Sequence, residues 1–423
     1  MTTASVSYSQ LIRSNRNFRT LWLGQIVSLL GDWFNLIASA ALLNELTESG
    51  LAIGGLFVVR MIAPFLISPF AGVVADRYNR KWILLTTDIV RGIIVLGFLF
   101  VREPQHVWLL YVLTGLQLGT GGFFFPTRNA LLPDIVAENE LGAANTISSI
   151  TWSTMLAIGA ALGGLVAGLW GNQTAFLIDA ATFFISAFFI IQMQYQTPKA
   201  VAASDKSVRA AVEQYVGGLK YLGSHRDQLV TALLKGVNAI LISTGFQVIQ
   251  VAIAEQVFVI GEGGGIGLGL LFAIAGAGTG LGPLAARAFA KDRDRPMRWT
   301  IVIGWLIASA GIFIVSTLAS FPLVLLGSFL RGFGGGIVWV MSTQILLQLV
   351  PAHVRGRTFA TEYMIFTLLS AIGAGVIGNF LDSHLDLGSI MRWMSLLILL
   401  PTVLWTLWTL RLPKTEPAPI SAD

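Results

Sequence analysis

Apolar runs long enough to cross a lipid bilayer recur along nearly the whole chain, and they constrain its fold more than any other feature. Residues 108–125, WLLYVLTGLQLGTGGFFF, are apolar on every face of a helix, and about 20 such residues span the ~30 Å hydrocarbon layer. Transmembrane β-strands would instead alternate polar and apolar residues over ~10-residue segments. Because a helix satisfies its own backbone hydrogen bonds in lipid, the runs predict an all-α membrane protein.

Composition supports the same class. Of the 423 residues, 55% are hydrophobic and 12% are charged, which is about half the charge of a soluble domain. Cysteine is absent, which excludes disulfides and thiolate metal sites, and we predict no metal and no cofactor. The net charge of +5 is explained by membrane topology, so the lipid bilayer is the expected environment and no nucleic-acid partner is expected.

Clusters of charge, proline and turn residues divide the apolar sequence into twelve predicted helices. The first is longer than the core of a signal peptide and is followed by further spans, so we predict a membrane helix rather than a cleaved signal. The predicted helices cover residues 19–44, 51–75, 82–101, 107–130, 141–169, 174–195, 228–257, 265–289, 298–319, 322–348, 356–381 and 389–411.

Two pseudo-symmetric six-helix bundles are predicted from a polar interval and an internal repeat. Residues 196–227 form the longest polar interval and separate a bundle at 1–195 from one at 228–423. PTRNALLPDIVAENELGAAN at the end of the fourth span is echoed by MSTQILLQLVPAHVRGRTFA at the end of the tenth. Parallel repeats of this kind form the two halves of many transporters, which alternate access to a central site.

The distribution of basic residues predicts the orientation. Of the 27 Lys and Arg residues, 21 fall on the side that carries both termini and two fall on the opposite side. Because cytoplasmic loops carry an excess of these residues, both termini and the 196–227 linker are predicted to be cytoplasmic. The remaining basic residues lie within spans and are Arg60, Arg91, Lys235 and Arg331.

The predicted loop between the second and third spans carries a charged motif, GVVADRYNRK at residues 72–81. Its pattern is defined by Gly72, Asp76, Arg77, Arg80 and Lys81. Together with Gly31-Asp32 in the first span, FFFPTRNALLPDIV at 123–136 and VRGRTFA at 354–360, it resembles the major facilitator superfamily. Within that superfamily the resemblance is to the branch that includes enterobactin exporters and macrolide efflux proteins.

The sequence departs from the family pattern at two places. Asn79 stands where the charged motif usually has glycine, at a turn that asparagine also tolerates. The fifth span has glycines at 159, 163, 164 and 168 but lacks the Gly-Pro element that many antiporters carry. Close helix packing through small residues is still expected there, while the antiport assignment is weakened.

The resemblance implies that the charged motif is a cytoplasmic latch. Asp76 would lie against the start of the eleventh span, where a helix N-terminus favours an anion. The basic residues of the motif would pair with carboxylates at neighbouring helix ends, with Asp134 as the candidate partner. Arg128, at the inner end of the fourth span, is assigned to the same gate. The alternative is a solvated basic loop that only sets topology.

Ionisable groups at membrane depth cost ~2.5 kcal/mol or more, so each is a functional candidate. Asp32 lies about 20 Å along its helix from Arg19, and Gln25 and Asn35 share its face, which we expect to line a water-filled cavity. Asp32 is the first candidate for proton coupling, since burial and a nearby cation shift a carboxyl pKa in opposite directions. The alternative is a static ion pair with Arg60.

The other charges within spans receive separate predictions. Asp88 and Arg91 stand at i and i+3 and are expected to pair on one helix face. Arg331 is expected either to pair with an acid across the cavity or to attract an anionic substrate. Glu362, one or two turns inside the eleventh span, and Asp179, near the outer end of the sixth, can both reach polar surroundings. Both are predicted to be structural, and Glu362 is assigned to an intramembrane ion pair.

Aromatic residues lie in spans that line the central cavity of the superfamily, and such surfaces suit amphipathic or aromatic cargo. The alternative is that they are ordinary core residues or interfacial anchors. The candidates for cavity lining are Phe124, Trp152, Phe246 and Trp339.

These features predict a monomeric secondary active transporter that exports a small amphipathic molecule, a drug or a siderophore, in exchange for protons. The glycine-rich stretch from Gly261 lacks the Walker lysine, so ion gradients are the expected energy source. A lysophospholipid or metal-ion transporter of the same fold is the alternative. An intramembrane enzyme is disfavoured, because the four histidines fall at loops or helix ends without a catalytic motif.

Overall fold

Long helices separated by short connections make up the computed structural model, which describes residues 8–137, 140–195, 217, 220–290, 293–383 and 385–412. The α-helices in these ranges are α1 (Tyr8–Ser14), α2 (Arg16–Thr47), α3 (Gly50–Arg77), α4 (Arg80–Gly97), α5 (Val107–Ile135), α6 (Leu141–Ile191), α7 (Arg226–Leu241), α8 (Thr244–Ala252), α9 (Gly265–Ala290), α10 (Asp294–Ser316), α11 (Phe321–Leu349), α12 (Ala352–Leu381), α13 (Leu387–Leu397) and α14 (Leu399–Arg411). A π-helical turn at Ile253–Val257 continues α8. Most of the predicted linker, 196–227, lies outside the described residues.

Eleven helical segments of the described chain are long and apolar enough to cross a membrane. One of them, residues 150–191, has 42 residues and would measure about 60 Å, twice the hydrocarbon thickness. Gly171 within it has φ 81° and ψ 162°, a backbone conformation that glycine adopts without a steric penalty. This kink divides α6 into two spans, which brings the number of crossings within the described residues to twelve. The predicted fold class, an all-α membrane protein, is therefore confirmed.

Side-chain caps begin several of these helices. Asn15 caps α2 by accepting from the Phe18 N–H, and Ser49 caps α3 by accepting from the Ala52 N–H. Asn79 accepts from the Lys81 and Trp82 N–H groups at the start of α4. The asparagine that replaces the usual glycine of the charged motif is therefore an N-cap, a position that asparagine favours.

Asp386 forms a similar cap at α13, where its side chain accepts from the Ser389 N–H at 2.7 Å. The Ser389 hydrogen bonds hold the pKa of Asp386 below its ordinary value, because they stabilise the ionised carboxylate. This carboxylate is thus charged at the entrance of the last span.

The chain divides into two compact units. The first comprises Met1–Val216, Val248–Ala273 and Ile377–Asp382, and the second comprises Gly217–Gln247, Ile274–Val376 and Ser383–Asp423. The first unit thus combines the N-terminal helices with the segment that begins α9 and the last turns of α12.

Glycines allow close helix packing in the first unit. A Cβ atom at Gly159 would lie 2.9 Å from the Trp33 ring, and one at Gly163 would lie 3.1 Å from the Phe34 Cα. A Cβ at Gly168 would lie 2.9 Å from the Ile266 nitrogen at the start of α9. Since these separations leave no room for a side chain, the glycines of the predicted fifth span join α6 to α2 and to α9.

The end of α12 contacts the start of α3 within the first unit. Asp382 accepts hydrogen bonds from the Ser49 hydroxyl at 2.7 Å, the Gly50 N–H at 2.5 Å and the Leu51 N–H at 3.1 Å. The first N–H groups of a helix have no partner within the helix, so this carboxylate satisfies two of them and complements the helix dipole.

Candidate functional site: buried charges in the spans

Asp32 on α2 and Arg91 on α4 form an ion pair within the first unit. Arg91 Nη2 lies 2.5 Å from Asp32 Oδ1, and the Arg91 side chain is 6% exposed whereas that of Asp32 is 24% exposed. The ring centroid of Phe183 lies 4.1 Å from the Arg91 Cζ, within the range of a cation–π contact. The pair is therefore held on one side by an aromatic ring and is accessible on the other.

Asp88 lies one turn before Arg91 on α4 and contacts a different helix. Its side chain is fully buried, and its Oδ2 accepts from the Ser186 hydroxyl at 2.5 Å. Its Oδ1 has no hydrogen-bond partner in the described part of the chain. Arg91, the partner predicted for Asp88 from their spacing, forms its ion pair with Asp32 and interacts electrostatically with Asp88.

Asp179 is the third carboxyl group of this region. It follows the kink at Gly171 by about eight residues, or roughly 12 Å of helix. The side chain is fully buried; Oδ2 accepts a long 3.4 Å hydrogen bond from Gln117, and Oδ1 has no partner among the described atoms. Gly31 packs directly against Asp179 and Thr182.

Arg60 on α3 completes the group, which we name the acid–arginine cluster: Asp32, Arg60, Asp88, Arg91 and Asp179. Arg60 is half-buried and interacts electrostatically with Asp32, Asp179 and Arg91. The cluster contains three carboxyl groups and two guanidinium groups, so full ionisation would leave one negative charge without compensation. An uncompensated charge is costly in a poorly solvated site.

The amides predicted to share the Asp32 face are buried. Gln25 is 6% exposed and Asn35 is 0% exposed, so neither opens into the water-filled cavity that we predicted for them. Asn35 accepts from the Ser39 hydroxyl at 3.3 Å and lies beside Asp179. The stripe packs where α2 meets α6, and only Asp32 retains substantial exposure.

A second buried ion pair lies in the second unit, between α7 and α12. Lys235 Nζ donates to Glu362 Oε2 at 2.9 Å, and the two side chains are 9% and 3% exposed. The Trp339 ring centroid lies 4.8 Å from the ammonium group. Sequence reasoning identified Glu362 and Trp339 separately, but it did not identify Lys235 as the residue that joins them.

Arg331 on α11 is buried and contacts its own unit. Its Nη1 donates to the Ile242 carbonyl at 2.5 Å, and its Cζ lies 4.6 Å from the Phe246 ring centroid. The Ile242 carbonyl and the Phe246 ring are thus two of its neighbours, and the pairing of Arg331 with an acid or an anionic substrate stays a prediction.

The charged motif between α3 and α4 supplies two anchored basic residues. Arg80 Nη1 lies 2.5 Å from Asp134 Oδ2, the carboxylate predicted as its partner. Lys81 Nζ donates to the Ile191 carbonyl at 2.8 Å and to the Met193 carbonyl at 2.7 Å, at the end of α6. The side chains of the remaining motif residues lie outside the described part of the structure: Gly72, Asp76 and Arg77.

Tyr195 adds a neutral donor to this group. Its hydroxyl donates to Asp134 Oδ2 at 2.8 Å, and burial together with the Asp134 carboxylate raises the pKa of Tyr195 to about 12. Since the phenol keeps its proton, Asp134 receives hydrogen bonds from both Arg80 and Tyr195.

Arg128 lies near the inner end of α5 and is buried. It donates to the Ser148 hydroxyl on α6 and to the Asn129 side chain, the latter at 3.1 Å. Both contacts are hydrogen bonds to neutral groups, and the assignment of Arg128 to the cytoplasmic gate stays a prediction.

The predicted cavity-lining aromatics have different environments. Phe124 is 8% exposed and belongs to an apolar core with Leu131 and Leu132, whereas Trp152 is 49% exposed. Phe246 and Trp339 lie against the cations Arg331 and Lys235. Aromatic rings in this chain thus serve as core residues, as exposed groups and as cation contacts.

Twelve apolar crossings with buried charges paired between helices are typical of a polytopic membrane transporter. A family model described as Major Facilitator Superfamily matches residues 21–297 and 236–422. The chain therefore belongs to the major facilitator superfamily, whose members are transporters of small molecules and not enzymes.

Individual relatives agree with this assignment. The uncharacterised MFS-type transporter YfiS of Bacillus subtilis is 26% identical over 385 residues, which cover 89% of this chain and 90% of YfiS. The putative bacilysin exporter BacE of Bacillus subtilis is 30% identical over 228 residues, about half of each chain, at 52% and 56%. A solved bacterial homologue of the human lysosomal transporter Spinster, inward-facing and unoccupied, superposes with a TM-score of 0.72 at 17% identity, over 96% of this chain and 99% of that one.

Proposed function

We propose that this transporter exports a small amphipathic molecule, a drug or a siderophore, across the bacterial inner membrane in exchange for protons. The observation that carries the proposal is the acid–arginine cluster, in which three buried or partly buried carboxyl groups share two arginines. A site with one uncompensated acid gains a proton when it faces the acidic side of the membrane. The similarity to a putative exporter over half of the chain supports the outward direction.

Alternating access would link the proton to the cargo. In this mechanism the halves at 1–195 and 228–423 rock about a central site, and the chain works as a monomer with both termini in the cytoplasm. Asp32 is the candidate for first contact with protons, because it is the most exposed carboxylate of the cluster. It also forms an ion pair with Arg91. Arg91 would hold the deprotonated form of Asp32, and a proton would release that contact.

The contacts of Arg80, Lys81 and Asp134 support a cytoplasmic latch. They tie the start of α4 to the ends of α5 and α6, so these helix ends would move together during gating. Arg128 extends the group by its hydrogen bond to Ser148 on α6. The alternative function of the charged motif, a topology signal alone, needs none of these contacts.

Proteoliposomes test the proposal. Purified protein is reconstituted, and the transport of a panel of drugs and siderophores is measured with a pH gradient imposed and with the gradient collapsed. The same measurements are made with a lysophospholipid and with a divalent metal ion as cargo. We expect gradient-driven export for at least one drug or siderophore in the wild type and its loss in Asp32→Asn. Asp386→Asn, which removes an exposed carboxylate outside the cluster, is the matched control.

Two outcomes would refute parts of this function. Wild-type export by Asp32→Asn would remove Asp32 from coupling. Movement of lysophospholipid or metal ion alone, insensitive to the pH gradient, would replace both the cargo class and the energy source.

A further inference from the structure

The buried pair between α7 and α12 has the composition of a cation-binding site whose cation is the protein's own lysine. Its members, which we name the lysine cage, are Lys235, Glu362, Trp339 and Phe359. We propose that the lysine cage is where the transporter recognises its cargo, and that a cationic amphipathic amine competes with the Lys235 ammonium for Glu362 and for the Trp339 ring. This inference rests on the proposed function and specifies the charge of its cargo.

Glu362 has an unused acceptor in a place where one is costly. Oε2 accepts from Lys235 at 2.9 Å, but Oε1 has no hydrogen-bond partner among the described residues. The residue is 2% exposed. Because a buried polar atom without a partner is destabilising, the carboxylate gains from a ligand that donates a second hydrogen bond.

The aromatic surroundings select a cation over an anion. The ring centroids of Trp339 and Phe359 lie 4.8 Å and 5.9 Å from the Lys235 ammonium. Phe366 meets the Trp339 ring edge-on, at 4.8 Å between centroids and 81° between planes, and thereby orients it. The faces of these rings carry negative electrostatic potential, so they would attract an ammonium ligand and disfavour a carboxylate.

Lysine is a suitable exchangeable occupant. Its ammonium group lies at the end of a flexible four-carbon chain, so the chain can withdraw while the rings and the carboxylate stay in place. A buried ion pair adds little net stability, because desolvation offsets most of the attraction between its charges. An incoming amine that also buries an apolar body adds hydrophobic stabilisation, which the Lys235 ammonium does not provide.

Competition predicts opposite effects for the two charged partners. If Lys235 competes with the ligand, its removal should strengthen amine binding, whereas removal of the Glu362 charge should abolish it. If the pair only holds α7 against α12, both substitutions should weaken binding alike. The sign of the Lys235 effect therefore distinguishes recognition from scaffolding.

Three probes with one fluorophore test the charge preference. Monodansylcadaverine carries a primary ammonium, its N-acetyl derivative is neutral, and dansyl-6-aminohexanoic acid is anionic. Binding to purified protein in nanodiscs is measured by dansyl fluorescence with no ion gradient present. We expect the acetylated and the anionic probes to bind about tenfold or more weakly than the amine, as expected for the loss of one buried cation contact.

Variants test the competition. We expect Lys235→Met to bind the amine several-fold more tightly than the wild type, and Glu362→Gln to bind it at least about tenfold more weakly. The double variant should no longer distinguish the amine from its acetylated form. Trp339→Phe keeps a ring face and should retain the preference, which Trp339→Leu should lose. Thermal unfolding of each variant, with and without the amine, controls for misfolding.

Each outcome decides a separate point. Equal weakening in Lys235→Met and Glu362→Gln, or tighter binding of the anionic probe with dependence on Lys235, would overturn the lysine cage as a cation site. If Glu362→Gln does not fold, the probe series on the wild type and Lys235→Met still decides. Absence of amine binding alongside pH-driven export of another compound would refute this inference alone, whereas amine binding without any response to a pH gradient would refute the proposed function alone.

Discussion

Arg298 and Asp227 form a two-pronged ion pair that joins the starts of α10 and α7 in the second unit. Arg298 Nη1 and Nη2 lie 2.9 Å and 2.7 Å from the two carboxylate oxygens of Asp227. Arg298 Nε also donates to Asp294 at 2.8 Å, and the Trp408 indole donates to Asp227. The paired geometry requires a planar guanidinium with parallel N–H groups, which lysine lacks.

Arg298→Lys should therefore destabilise the second unit while keeping the charge. A lost charge-assisted hydrogen bond costs about 1–3 kcal/mol, so we expect a measurable drop in the midpoint of thermal unfolding. Arg293→Lys, at an exposed position five residues earlier, at the N-cap of the same helix, is the control and should unfold like the wild type. Equal midpoints for both variants would contradict this prediction.

Gly31→Ala should disturb the acid–arginine cluster. A Cβ atom at Gly31 would collide with the Thr182 hydroxyl and the Asp179 carboxyl group, and overpacking of this kind costs about 1–3 kcal/mol. We expect lower thermal stability together with impaired transport. Gly223→Ala is the matched control, because a Cβ there meets nothing within 4 Å. A stable and fully active Gly31→Ala protein would show that α2 and α6 separate more easily than their contact suggests.

Asp179→Asn should leave the acid–arginine cluster without its excess negative charge. Two carboxyl groups would then face two arginines, so a transported ligand should no longer exchange for a proton at this site. The measurement is proton release upon ligand binding in weakly buffered solution with a pH indicator, where we expect about one proton for the wild type and much less for the variant. Unchanged release from a folded Asp179→Asn protein would place the exchanged proton on another group.

Asp382→Asn should loosen the contact between the end of α12 and the start of α3. The wild-type carboxylate accepts from the Gly50 and Leu51 N–H groups, and a neutral amide is a weaker acceptor without the charge that favours a helix N-terminus. Hydrogen exchange at Gly50 and Leu51 should accelerate, by about tenfold for each 1.4 kcal/mol of lost protection. Asp386→Asn, which caps a different helix, should leave these two amides unchanged.

The number and the bounds of the spans could be predicted because charges and prolines interrupt the apolar sequence at almost every connection. The contact between Arg80 and Asp134 could be anticipated on similar grounds, since both lie at helix ends on the side with the basic loops. Such ends meet over short loops, and their charges have few other partners.

Pairing inside the membrane could not be predicted in the same way. Asp88 and Arg91 are near each other in sequence, yet Arg91 contacts Asp32, 59 residues away, and Lys235 contacts Glu362 across 127 residues. A helix that is apolar on all sides has no hydrophobic face to fix its rotation. The sequence therefore identifies which charges are buried but leaves open which neighbouring helix each one contacts.

The fifth and sixth spans are joined at the Gly171 kink without a loop between them. Since the backbone of one residue separates them within α6, a tilt of the fifth span has to be transmitted to the sixth. The sixth span carries Asp179, a member of the acid–arginine cluster, and Ser186, whose hydroxyl donates to Asp88 in that cluster. A tilt of the fifth span would therefore move both residues. Reporter tags and protease sites should be inserted in other connections, because an insertion at Gly171 would break the rigid connection between the fifth and sixth spans.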